Sequence, residues 1–187
     1  MNAHIEAGGN IFENEPAKCR VVAVYDHPDS RALTVRVCED LAHQFKGDVA
    51  FEFSWWRFKY LKELRIAHQA VRAATTADLI FISPGPTDEL PSEVKAWFDS
   101  WLPQRRTLEG ALVVLRNEPA ARKPRNQDQY LKLMAQRAEM DFLPVFCPVP
   151  APPSGGRHSE DHPGPATAGP GRIPSGDERI LHWGINE

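Results

Sequence analysis

The chain has 187 residues, of which 25 are acidic and 22 are basic, giving a formal net charge of -3. This length suits one domain of roughly 100–200 residues, and 42% hydrophobic with 25% charged residues excludes collagen-like, coiled-coil and fully disordered chains. The acidic balance argues against general nucleic-acid binding, no apolar run reaches the ~18 residues that a membrane span needs, and the polar N-terminus predicts no secretory signal.

Composition divides the chain into four zones. Residues 1–17 lack periodicity and are predicted to form a loose arm. Residues 18–150 alternate apolar strand-like runs with amphipathic stretches and should form the domain. Residues 151–176 are dominated by Pro and Gly and cannot build a core, whereas residues 177–187 contain a short apolar segment that could anchor the C-terminus.

Within the domain, five strands alternate with four helices. The predicted strands are residues 19–25, 49–56, 78–83, 110–115 and 142–149. The first helix should be capped by Asp29 or Ser30, the second should cover residues 62–76, the third should start at Pro91, and the fourth should open at Asn126 or Asp128. Apolar stripes predict that the core sides of the helices include Leu64 in the second, Trp97 and Trp101 in the third, and Leu133 in the fourth.

This alternation predicts a three-layer α/β fold around a parallel sheet. Five such strands favour the flavodoxin-like order 2-1-3-4-5, with the third strand central and the second and fifth at the edges. The fifth helix of that arrangement is replaced by the Pro/Gly-rich tail. The sheet face beneath strands three to five would then be covered by residues 180–185 folding back, or by a second copy of the chain in a homodimer.

The three cysteines indicate no site. Cys19, Cys38 and Cys147 are far apart and form no CxxC or Cys/His cluster. The pattern is typical of buried thiols in a reducing cytoplasm, and we expect a cytoplasmic protein without a metal centre.

Ligands of open parallel sheets bind beyond the carboxyl ends of the strands. The loops expected there are residues 26–31, 55–60, 84–90 and 116–125. The first carries Asp26, Asp29, Ser30 and Arg31. The last is basic and includes Arg116 and Asn117, which either bind an anionic ligand or pair with the acidic residues of the third loop.

One stretch resembles a known family. Residues 77–84 followed by Pro91, Lys95 and residues 99–101 look like the NADPH-dependent FMN reductases, in which a central strand ends in Pro and Pro-x-x-Leu-Lys opens the next helix. Val94 stands here in place of the Leu. The resemblance covers residues 77–101 and implies that the loop after Pro84 would line the ring of FMN.

The sequence departs from that family in the two loops that hold the flavin. Pro86, Thr87 and Asp88 occupy the positions where the family carries Tyr-Asn-Gly. In the first loop, Asp26 and Asp29 replace the Gly, Ser and Thr that hold the phosphate, and each would repel it by about 1 kcal/mol even in high dielectric. The hydroxyl of Ser30 and the positive charge of Arg31 would offset this repulsion of the phosphate only in part.

Trp56 allows two interpretations. The run Trp55-Trp56-Arg57-Phe58-Lys59-Tyr60 interleaves aromatic and basic residues, as a stacking platform for a flavin or base would. The alternative is that Trp55 and Phe58 belong to the core and Trp56 covers the sheet edge.

These observations predict a flavodoxin-like domain that lacks an ordinary FMN-phosphate loop. We expect a non-catalytic binding or interaction module with no resident cofactor, whose partner is a protein or a small molecule. The alternative is an FMN-dependent NAD(P)H oxidoreductase. The candidate cofactor-binding residues are Ser30, Arg31, Trp56, Pro84, Gly85, Pro86, Thr87, Asp88, Arg116 and Asn117.

Overall fold

The computed structural model describes residues 15–106, 109–117 and 125–147. Its strands are β1 (Ala17–Tyr25), β2 (Val49–Arg57), β3 (Leu79–Ser83), β4 (Ala111–Arg116) and β5 (Asp141–Phe146). Its α-helices are α1 (Pro28–Gln44), α2 (Leu64–Ala74), α3 (Ser92–Trp101) and α4 (Asn126–Arg137). Short 3₁₀ turns follow β2 and α3 at Phe58–Tyr60 and Leu102–Gln104.

The five strands form one parallel sheet in the order β2-β1-β3-β4-β5. This is the flavodoxin-like order, and it confirms the predicted fold class, the central position of β3 and the edge positions of β2 and β5. Pro144 lies in β5, where one side of the strand has no partner in the sheet. An edge strand tolerates a residue without an N–H donor.

Helices cover both faces of the sheet. On one face, α2, α3 and α4 pack on alternate residues of β1, β3 and β4, and the core includes Trp97, Phe98 and Trp101 of α3. The rings of Trp97 and Phe98 lie 5.0 Å apart between centroids, and those of Phe98 and Trp101 lie 5.7 Å apart. On the other face, α1 packs on the intervening residues of the same strands.

Burial on the α1 face of the sheet decreases from β4 to β5. On the α1 face, Phe81, Val113 and Leu115 are all buried, so β3 and β4 are covered. Leu143 of β5 is 47% exposed. The predictions for residues 1–14 and 148–187, including the tail and the covering segment, lie outside the described residues.

The predicted core positions of Leu64 in α2 and Leu133 in α4 are wrong, although Ala74 of α2 and Met134 of α4 do lie in the core. Leu64 is 73% exposed because it is the first residue of α2, before the helix has turned toward the sheet. In α4 the buried residues are Gln127, Leu131, Met134 and Ala135, whereas Leu133 is 51% exposed. Gln127 bonds to a neighbouring loop, as described below, and this fixes the rotation of α4 about its axis.

The start of α1 also differs from the prediction. The helix begins at Pro28 with His27 as its N-cap, and not with Asp29 or Ser30 as the cap. Proline suits the first helical position because its missing N–H would have no partner there. Among the described helices, none is long and apolar enough to cross a bilayer.

The rotation of α4 can be tested with two like substitutions. Leu131→Ala should lower the free energy of unfolding by about 2–5 kcal/mol because Leu131 is fully buried and its removal leaves a cavity. Leu133→Ala, the matched control on the same helix, should change it by about 0.5 kcal/mol or less. Urea denaturation followed by circular dichroism measures both. A larger loss for Leu133 would contradict the described packing.

Candidate functional site

A cavity of about 160 Å³ lies at the carboxyl ends of β1, β3 and β4. This is the β1/β3 switch point, where doubly wound sheets bind ligands. The first turn of α1, the end of β3 with its following loop, and the end of β4 form the walls. The lining residues are His27, Asp29, Ser30, Leu33, Ser83, Pro84, Gly85, Pro86, Leu115, Arg116 and Asn117.

The first turn of α1 positions a hydroxyl and an imidazole in this wall. Ser30 is buried, and its Oγ lies 2.6 Å from Nδ1 of His27. The hydroxyl of Thr34, one turn later, donates to the carbonyl oxygen of Ser30 at 2.8 Å. Ser30 is thus held by hydrogen bonds on both its side chain and its backbone.

The loop after β3 is fixed from two sides. The N–H of Asp26 donates to the carbonyl oxygen of Ser83 at 3.1 Å. The Asp26 carboxylate lies so close to Gly85 that a Cβ at position 85 would overlap Oδ2. On the opposite side, Nε2 of the buried Gln127 donates to the carbonyl oxygens of Gly85, at 3.4 Å, and Thr87. The third loop therefore has little freedom to open the cavity.

Arg116 lies at the end of β4 and is 5% exposed. Its Nη2 pairs with the carboxylate of Asp128 in the first turn of α4. In the described part of the chain its Nη1 has no hydrogen-bond partner. The predicted pairing with the acidic residues of the third loop is wrong for Arg116, since Asp88 bonds Asn126 and Glu89 pairs with Lys95. The Asp128 carboxylate therefore balances the charge of Arg116 without a ligand.

The cavity brings together six of the ten predicted site residues. These are Ser30, Pro84, Gly85, Pro86, Arg116 and Asn117.

The other four predicted site residues lie elsewhere. Trp56 is 5% exposed and belongs to the core beneath α2 and α3, so its ring offers no stacking platform. Arg31 points to a different cleft. Asp88 accepts hydrogen bonds from the backbone and side-chain amides of Asn126, and Thr87 accepts one from Gln127. Both residues hold the start of α4 against the third loop.

The sequence prediction omitted five lining residues: His27, Asp29, Leu33, Ser83 and Leu115. His27 could have been included, because a residue just before a Pro-initiated helix is its N-cap and lies within reach of the third helical residue. Leu33 follows Ser30 by three positions and so shares its helix face. Ser83 and Leu115 lie near the carboxyl ends of their strands, where sequence periodicity does not separate a core residue from a cavity wall.

The cysteines are not part of the site. Burial, with a smaller contribution from the Glu39 carboxylate, raises the pKa of Cys38 to about 12. Burial also raises the pKa of Cys19 and of Cys147. These thiols are protonated at neutral pH and are poor nucleophiles and metal ligands. Within the described ranges, no three His, Cys, Asp or Glu residues cluster as metal ligands would.

The residues of the cavity do not fit FMN. Ligands of drug size need pockets of roughly 300–1,000 Å³, and FMN carries three fused rings, a ribityl chain and a phosphate. The cavity measures about 160 Å³, and Asp26 closes against Gly85 in the loop where the ring would lie. The side chain of Asp29 also lines the cavity and would repel a phosphate.

Comparison with protein-family models and with curated protein sequences finds no match to this chain.

The close approach of Asp26 to Gly85 predicts a coupled pair of substitutions. Gly85→Ala should lower the free energy of unfolding by about 1 kcal/mol or less, because the new methyl group overlaps only the end of the partly buried Asp26 side chain, which can rotate away. In an Asp26→Ala background the same substitution should cost much less. Thermal or urea unfolding of both single variants and the double variant measures this coupling. Equal costs in the two backgrounds would show that the two residues are not in contact.

Proposed function

We propose that this chain is a binding module for a small uncharged ligand, which occupies the cavity at the ends of β1, β3 and β4. The size of that cavity is the observation that supports the proposal most directly. An apolar cavity of about 150 Å³ holds a benzene molecule, so about 160 Å³ suits a single ring with one or two polar groups. The hydrogen-bonding groups on its wall, the hydroxyl of Ser30, the imidazole of His27 and the amide of Asn117, would give such a ligand its orientation.

The charges of the cavity wall also favour a neutral ligand. Asp29 contributes a carboxylate, which would repel an anion. Arg116 contributes a guanidinium, but Asp128 already balances its charge. A ligand with hydrogen-bond donors and acceptors but no net charge avoids the desolvation cost of burying a further ion.

The alternative, an FMN-dependent NAD(P)H oxidoreductase, draws on the sheet order and on the position of the cavity at the switch point. The geometry of the site weighs against it. Trp56 is buried in the core, and the third loop is held shut by Asp26 and Gln127. The binding module is therefore the function that the geometry supports better.

The contacts of His27 support a binding role over nucleophilic catalysis. A serine nucleophile needs a base that is itself oriented by a third group. Nδ1 of His27 lies within hydrogen-bond distance of the Ser30 hydroxyl, but among the described residues no carboxylate bonds to Nε2 of His27.

We further propose a cytoplasmic location. Cys19, Cys38 and Cys147 are free thiols, as is typical of proteins in a reducing compartment.

Two titrations test the proposal. The purified protein should show no absorbance in the near-ultraviolet and blue bands of oxidised flavin, and FMN should not quench its tryptophan fluorescence to saturation. Calorimetry with 2-pyridone, a neutral single-ring probe, should detect binding at one site. Asn117→Trp, at the exposed rim of the cavity, should abolish that binding because the indole blocks the entrance.

Lys132→Trp is the matched control, since Lys132 is exposed on α4 and does not line the cavity. It should leave the affinity for 2-pyridone unchanged. Flavin binding at micromolar concentration would contradict the proposal, whichever residues hold the flavin. So would binding of 2-pyridone that Asn117→Trp does not affect.

A further inference from the structure

A second cleft lies on the other side of the first turn of α1. It measures about 320 Å³, twice the volume of the cavity, and is lined by Tyr25, Pro28, Arg31, Ala32, Arg57 and Tyr60. Tyr25 and Arg57 are register partners at the ends of β1 and β2. The cleft therefore opens between these two strands and α1, away from the switch point between β1 and β3.

The wall of this cleft carries two positive charges and no carboxylate. Within residues 15–106, 109–117 and 125–147, neither Arg31 nor Arg57 forms an ion pair. Nε of Arg57 donates to the carbonyl oxygen of Asp26 at 3.0 Å, which orients the guanidinium while leaving its charge uncompensated. Asp29 lines the cavity on the opposite side of the turn. Because Arg31 and Arg57 both line the cleft, an anion bound there would lie near two positive charges.

A tyrosine adds flat apolar surface beside these charges. Tyr60 is half-buried in the turn after β2, whereas Tyr25 is 7% exposed and belongs to the core beneath α1. The ammonium of Lys59 lies 4.5 Å from the centroid of the Tyr60 ring, which brings a third positive charge near the cleft. Tyrosine rings next to guanidinium groups suit a ligand that combines a planar ring with an anionic group.

We propose that this cleft binds a small phosphate monoester carried on a single aromatic ring. A phosphate dianion matches two guanidinium groups in charge and can accept the paired hydrogen bonds of each planar fork. Tyr60 contacts the ring. The volume of about 320 Å³ lies at the lower end of the range for small-molecule sites, which fits one ring with its phosphate. This site is separate from the neutral cavity and does not depend on the function proposed for it.

Calorimetry on the full chain with phenyl phosphate tests the proposal. One site should bind, and affinity should fall as the salt concentration rises because the contacts are ionic. Arg31→Gln should weaken binding about tenfold or more, since it removes one charged donor pair. Arg31 makes no side-chain hydrogen bond within the described residues, so this variant should fold normally, as its circular dichroism and melting temperature will show.

Three controls separate the parts of the proposal. Arg36→Gln removes an exposed arginine from the same helix, outside the cleft, and should leave the affinity unchanged. Inorganic phosphate should bind about tenfold more weakly than phenyl phosphate because it lacks the ring that Tyr60 contacts. Benzyl alcohol, which lacks the phosphate, should not compete with phenyl phosphate for the cleft. Absence of phenyl phosphate binding, an equal loss in both arginine variants, or equal affinity for the two phosphates would each overturn the proposal.

Discussion

The ends of three neighbouring strands depend on one residue, Asp26. Its N–H donates to the carbonyl oxygen of Ser83, which ties β1 to β3, and its own carbonyl oxygen accepts from Arg57, which ties β1 to β2. Its carboxylate packs against Gly85, where an added methyl group would have to displace it. A buried backbone group without a hydrogen-bond partner lowers the stability of the fold by about 1–3 kcal/mol. The bonds of Asp26 are therefore costly to break, and they fix the position of the third loop and with it the size of the cavity.

The first turn of α1 divides the space above the strands into two sites of different charge. His27, Asp29 and Ser30 face the cavity at the β1/β3 switch point, whereas Pro28, Arg31 and Ala32 face the cleft beside β2. Because successive residues of a helix are rotated by about 100°, Asp29 and Arg31, which are two positions apart, point in nearly opposite directions. Asp29 and Arg31 therefore belong to different sites, and the positive charge of Arg31 does not offset the negative charge of Asp29 within one phosphate-binding loop.

Local patterns in the sequence predict the fold well and the site only in part. Apolar runs that alternate with helices predict the sheet order correctly. Buried strands joined by short connections allow only a few strand orders. The exposure of Leu133 was not predictable from the pattern of α4, because Gln127 forms a tertiary bond to the third loop and lies on the buried side of that helix instead. The burial of Trp56 and the separation of Arg31 from Ser30 likewise depend on which side of a strand or helix turn each residue occupies in three dimensions.

Mapping of amide chemical shifts by NMR tests the division into two sites most directly. The full chain, labelled with ¹⁵N, would be titrated separately with 2-pyridone and with phenyl phosphate. Our account predicts that 2-pyridone shifts the amides of Gly85 and Asn117, and that phenyl phosphate shifts those of Ala32 and Tyr60. A single set of amides responding to both probes would contradict the claim that α1 separates a neutral cavity from an anion-binding cleft.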